Sequence, residues 1–180
     1  MIISPPFLPE RTENQTDEQW FDTAMNQVSN GIFPIGIRSA WHGGIHLEAP
    51  TNQNSTAACP VCAIADGEIV YVRAPTPQNQ NISDPQNYGD TSRAVWTDNG
   101  CIVIRHRTEI GADAQDVATE FQYYSIYMHL SSIHANVQQP VPNPLQRIYR
   151  KQEIGTAGQI YGEANRIHFE IVCGDDQLEF

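Results

Sequence analysis

Apolar positions change their spacing once along this chain, near Gly31. Before it, Trp20, Phe21, Ala24, Met25 and Val28 recur at helical intervals and predict one amphipathic helix over residues 16–29, its stripe packed on the rest of the fold. Thr16 and Gln19 have capping-box spacing, and Gly31 supplies a stop. After Gly31 the apolar runs are short and are separated by Gly, Pro and Asn clusters, the punctuation of strands. Strands are expected at 45–48, 61–65, 68–73, 101–107, 120–129 and 167–173, with Asp66-Gly67 as a hairpin turn between the second and third. The pattern predicts a β-rich chain, all-β or α+β, with an antiparallel core sheet and an N-terminal helix.

Residues 1–30 read as an arm and helix laid on a main domain of residues 31–180. Ser4-Pro5-Pro6 and Leu8-Pro9 forbid helix in the arm. Three insertions, 75–100, 108–119 and 138–150, are long for connectors in a compact domain and are expected to frame a groove.

The 180 residues suit one domain with a single core. A formal charge of -11 argues against nucleic acid or an anionic membrane surface as partner and favours solubility. No stretch approaches the roughly 20 apolar residues that span a bilayer. The first residues lack the positive n-region and unbroken apolar run of a signal peptide.

The candidate chemistry begins at Trp41-His42-Gly43-Gly44-Ile45-His46. Two adjacent glycines inside a helix would cost roughly 2 kcal/mol relative to alanine, so His42 and His46 read as a loop running into a strand. Such a pair can converge on one cation, or can be two ordinary surface or core imidazoles. Two further segments bear on the choice, Tyr127-Met128-His129-Leu130 and Arg166-Ile167-His168-Phe169-Glu170.

The order of these segments, HxGxH, a strand ending DGEIV, YMHL, an IG..G turn at Ile154-Gly155 and Gly158, then IHFEI, resembles the lysostaphin/LytM-type zinc peptidases that cut bacterial peptidoglycan. The resemblance runs from about Arg38 to Cys173. It implies that His42 and His168 hold Zn2+ and that His129 handles protons or the oxyanion. Two positions depart from the family's motifs. His46 stands where the family has aspartate, giving three neutral imidazoles, a known zinc arrangement. Arg166 stands where the family has the first histidine of H-x-H. Arginine cannot serve as a base near neutral pH, but it can stabilise an oxyanion.

The resemblance implies a zinc-dependent hydrolase of a peptidoglycan amide bond, with His42, His46 and His168 as metal ligands and His129 and Arg166 as catalytic residues. The bond would be a peptide cross-link or the link between glycan and first alanine. Its substrate lies in the periplasm or cell wall. Without a visible signal, that implies export by a dedicated secretion system, as for an antibacterial effector with a carrier or immunity protein, or a chain that is processed or a fragment. The alternative is a catalytically inactive peptidoglycan-binding or regulatory domain of the same fold, which Arg166 favours.

The remaining candidates have plainer readings. Tyr71, Tyr123, Tyr124 and Tyr127 fall on strands as packing residues with wet hydroxyls. His106 is expected to be structural and His134 exposed; Glu170 shares a strand face with His168 and either orients that imidazole or, as the resemblance implies, fills the family's acidic position without a catalytic role, the favoured reading, while Glu48, Asp66 and Glu163 read as turn or edge carboxylates. Cys59, Cys62, Cys101 and Cys173 allow three pairings; Cys59–Cys62 with Cys101–Cys173 is one expectation, and four unpaired core thiols the other.

Overall fold

The computed structural model describes residues 2–36, 39–52, 55–87, 95–112, 115–142 and 144–174. Arg38, residues 88–94, 113–114 and 143 of the three insertions, and the chain beyond residue 174 therefore lie outside the described residues.

Among the described residues one helix, α1 (Asp17–Ala24), precedes eight strands: β1 (Ile45–Glu48), β2 (Val61–Cys62), β3 (Gly67–Arg73), β4 (Gly100–Ala112), β5 (Ala118–Ile133), β6 (Arg147–Ile148), β7 (Glu153–Ile160) and β8 (Glu163–Cys173). They form one antiparallel sheet in the order β1-β8-β7-β5-β4-β3-β6, with β2 against β7 and β8 also pairing with β5. The β-rich expectation matches this architecture.

Side chains alternate across the sheet because successive residues of a strand point to opposite faces. On β4 and β5 the buried set is Ile102, Ile104, His106, Tyr123, Ser125 and Tyr127, joined by Leu47, Ile69, Val72, Ile167 and Phe169. The N-terminal arm closes this core: Phe7 is fully buried, and Ser4 N–H donates to the Ile64 carbonyl at 2.8 Å. The opposite face carries Met128, Ile126, Tyr124, Val103 and Tyr71 and is only partly covered.

Several expectations are corrected. The capping box forms, but α1 ends at Ala24 with Met25 as its cap, and Phe21 is half exposed. Residues 26–31 instead run along the free edge of β1, where Glu48 N–H donates to Asn26, Val28 N–H to His46, and His46 N–H to Gly31. Asparagines at 26 and 30 favour such local bonding over helix. Asp66-Gly67 is not a hairpin turn, because β2 pairs with β7 and β3 with β4 and β6. Residues 108–112 and 118–119 are ladder, an extension of the β4–β5 pairing in which Thr108 faces Phe121 and Ala112 faces Ala118. The expected IG..G turn is part of β7.

All four cysteines are free, so the Cys59–Cys62 and Cys101–Cys173 pairing is not formed. Cys101 lies opposite Met128 of β5, whereas Cys173 lies opposite Tyr123, about 17 Å further along that strand. A disulfide cannot span that gap. Burial pushes the Cys62 thiol up to about 12 and the Cys101 thiol up to about 11.

Candidate metal centre

His46 and His168 are directly opposed on β1 and β8, and their rings lie 5.6 Å apart on the partly covered face. The strand period leaves Leu47 and Ile167 to the core and turns both imidazoles to the other side. His42 arrives from the preceding loop, held by its backbone N–H to the Pro34 carbonyl at 2.9 Å. The paired glycines after it permit close approach: a Cβ on Gly43 would overlap the Glu170 carboxylate, and one on Gly44 the Phe169 carbonyl.

The hydrogen bonds around the rings fix which nitrogens face inward. His46 Nδ1–H donates to Asn30 Oδ1 at 3.2 Å, leaving Nε2 as a lone pair. His168 Nε2–H donates to Glu170 Oε2 at 3.3 Å, leaving Nδ1 as a lone pair. His42 Nε2 lies 3.1 Å from the first and 3.0 Å from the second. The three inward atoms lie within 4.8 Å of one another. A single proton on His42 can serve only one neighbour well, so the trio is poorly satisfied as a hydrogen-bonded cluster. It suits a cation instead: imidazoles around tetrahedral zinc hold their nitrogens about 3.3 Å apart. Burial is the main cause that pushes His46 down to about 3, with the neighbouring imidazoles and Arg166 adding to it. Burial also lowers His168. Both are therefore neutral near pH 7, the state a metal ligand needs.

His129 stands beside this trio, its ring 6.2 Å from His46 and 6.4 Å from His168. Met128 faces Cys101 and Leu130 faces Gly100, so His129 is an extra residue, a β-bulge, with left-handed backbone at φ 65°. In a regular strand the face of Met128 would exclude His129; the bulge turns it towards the three histidines. The sheet forks at the same place. β5 and β8 pair up to Met128 and His168, then β7 enters between them, pairing with both. Gly158 is required there, since a Cβ would overlap the His129 carbonyl and the Asp98 carboxylate. His129 Nδ1–H donates to the Asp98 carbonyl at 2.7 Å, which leaves Nε2 as the free acceptor. Burial lowers its pKa, so it too is neutral. The 75–100 insertion brings Gln86, Thr97, Asp98 and Asn99 to a concavity of about 310 Å³ that His129 and Met128 also line.

Arg166 lies on the same face, opposite Glu48 and two residues before His168. Its Nη2 is 3.6 Å from both Glu48 and Glu163, so these carboxylates form its ion pairs. His106 is buried and structural: its Nδ1–H donates to the Asp66 carbonyl at 2.8 Å, and the Ser125 hydroxyl donates to its Nε2 at 2.7 Å. Tyr127 is dry, its hydroxyl accepting Ile64 N–H at 3.0 Å; Tyr71 is half exposed. His134 is partly exposed and remote from the trio, 3.9 Å from Glu153.

Asn30 and Asp98 are the participants that motif reading misses. Asn30 falls just past the expected helix, and Asp98 acts through its backbone carbonyl, which no residue type signals. No family model, curated protein or solved structure matches this chain.

Proposed function

We propose that this chain is a zinc-dependent hydrolase that cuts an amide bond in bacterial peptidoglycan, as the lysostaphin/LytM-type peptidases do. The observation that carries the reading is the convergence of three inward-facing nitrogens, two of them with their outer nitrogen tied to Asn30 or Glu170. His42, His46 and His168 would hold zinc; when bound it supplies Lewis acidity towards a carbonyl oxygen and lowers the pKa of water.

The other residues have chemistry of their own. His129, neutral and with a free Nε2, accepts a proton during attack and returns it to the leaving amine. Arg166 donates charge-assisted hydrogen bonds to developing negative charge. The concavity beside His129 seats the peptide. Cleavage of a peptide cross-link is favoured over cleavage between glycan and first alanine, and the substrate places the protein's work in the periplasm or cell wall. The ion pairs of Arg166 with Glu48 and Glu163 favour one rival, a non-catalytic domain that only binds peptidoglycan.

Mass spectrometry of fragments released from isolated peptidoglycan by the zinc-loaded protein decides. Resolved cross-linked dimers support the endopeptidase, and free stem peptides the amidase. No products from folded, zinc-loaded protein refute hydrolysis and support the binding domain.

A further inference from the structure

The face that carries the three histidines also carries a second cluster of charge. Glu68 of β3 lies opposite both Arg105 of β4 and Arg147 of β6, forming a row across three strands. Arg107 follows Arg105 on the same face. Together with Asp66 and Gly67 these residues line a concavity of about 220 Å³.

The concavity is lined by three guanidinium groups and two carboxylates, and they are not equally paired. Arg105 Nη2 is 2.6 Å from Glu68 Oε2, an ion pair that holds the Glu68 carboxyl below its usual range. The Asp66 carboxylate is engaged, accepting Arg150 N–H at 2.7 Å. Arg107 has a loose contact of 3.4 Å with Glu120, both more than half exposed. Arg147 has no carboxylate within 4.0 Å among the described residues. Of the three guanidinium groups on this concavity, Arg105 is tightly paired, Arg107 loosely paired and Arg147 unpaired among the described residues, in a chain whose net charge is -11 and which has only ten Lys and Arg residues. Planar, forked donors left loosely paired or unpaired in an acidic protein suit recognition of an oxyanion.

Strand register gives the distance. The row His46–His168–Met128–Cys101 crosses the sheet at the metal centre, and the row Val172–Tyr124–Arg105–Glu68–Arg147 crosses it four residues further on. Four residues along the strands and two strands across amount to about 16 Å between His168 and Arg105, the reach of about five extended peptide residues. Between the rows the floor is Glu170, Ile126, Val103 and Tyr71.

We propose that Arg105, Arg107 and Arg147 form an anion subsite that takes a carboxylate of the peptide lying along this face, about five residues from the bond cut. The inference rests on the peptidoglycan reading, whose peptides bear free carboxylates. Arg105, fixed by Glu68, sets the geometry; Arg107 and Arg147, both exposed, close on the ligand.

The test is calorimetric titration of zinc-free protein with a stem-type pentapeptide whose carboxylates are free, and with the same peptide fully amidated. The free acid is expected to bind about tenfold more tightly. The double variant Arg107→Gln with Arg147→Gln, checked for folding by circular dichroism, is expected to bind both forms equally. Equal binding by the wild type, or a preference that survives in the double variant, overturns the subsite. Because neither zinc nor turnover is involved, the two readings fail separately. Protein that selects the acid but releases nothing from peptidoglycan keeps the subsite and loses the hydrolase; protein that hydrolyses without preference loses only the subsite.

Discussion

His46 and His168 form a cross-strand pair whose inner nitrogens face His42 while their outer nitrogens are tied to Asn30 and Glu170. Those outer bonds select the tautomer of each ring and aim its lone pair. Asn30→Ala is therefore expected to weaken zinc binding about 10–100-fold without changing the one-to-one stoichiometry. Glu170→Gln, which keeps an acceptor but removes the charge, should fall between Asn30→Ala and wild type. Competition with a chromophoric chelator reads both, and unchanged affinity in Asn30→Ala would show that the ring needs no such orientation.

Ser125 is fully buried between His106 and Tyr127 in a polar chain that ends on the Asp66 carbonyl. Ser125→Ala leaves a buried imidazole nitrogen without its donor and is expected to lower stability by about 1–3 kcal/mol. The chain lies on the core side of the sheet, so zinc binding should not change. Urea unfolding and zinc titration on the same variant separate the two effects.

Acid should destabilise the metal-free protein through its buried imidazoles. Burial lowers the pKa of His46, His106 and His168 from the ordinary 6.5, in the case of His46 to about 3. Below pH 6.5 the unfolded chain binds protons that the folded chain resists, so stability is complete above that pH and declines as pH falls towards the folded values. Urea midpoints should drop from pH 7 to pH 5. A flat or rising midpoint over that interval contradicts the burial of these rings.

Arg166 is the residue on which catalysis and mere binding divide. If it stabilises the oxyanion, Arg166→Ala lowers kcat by about 10²-fold with little change in KM, and Arg166→Lys restores part of it. Its pairing with Glu48 and Glu163 makes a second variant informative. Glu163→Gln removes one of its two carboxylate partners and should not lower kcat. Hydrolysis unaffected in Arg166→Ala assigns Arg166 to the Glu48–Glu163 pairing alone.

How much of this was legible in sequence depended on whether the signal was local. The β1 segment and the buried period-2 face of β4 and β5 follow from alternation over a few residues, and the helix start from the Thr16–Gln19 box. The grouping of His42, His46 and His168 followed from motif order, although strand register is what makes His46 and His168 partners. β7 was invisible because Gly155, Ala157 and Gly158 have poor strand propensity, and the two glycines are needed because neighbouring backbone and, at Gly158, the Asp98 side chain crowd them. The end of α1 was misplaced because pairing with the edge of β1 overrode an apolar spacing that continued to Val28. The His129 bulge and the Asp98 carbonyl belong to tertiary geometry and leave no mark in residue type.

The central claim is that His42, His46 and His168 hold one metal ion, and cobalt titration followed by visible absorption tests it most directly. The account predicts saturation at one equivalent with the intense bands of four-coordinate cobalt, displacement by zinc, and loss of those bands in His46→Ala. Weak six-coordinate spectra with no break at one equivalent, or bands that persist in His46→Ala, would contradict it.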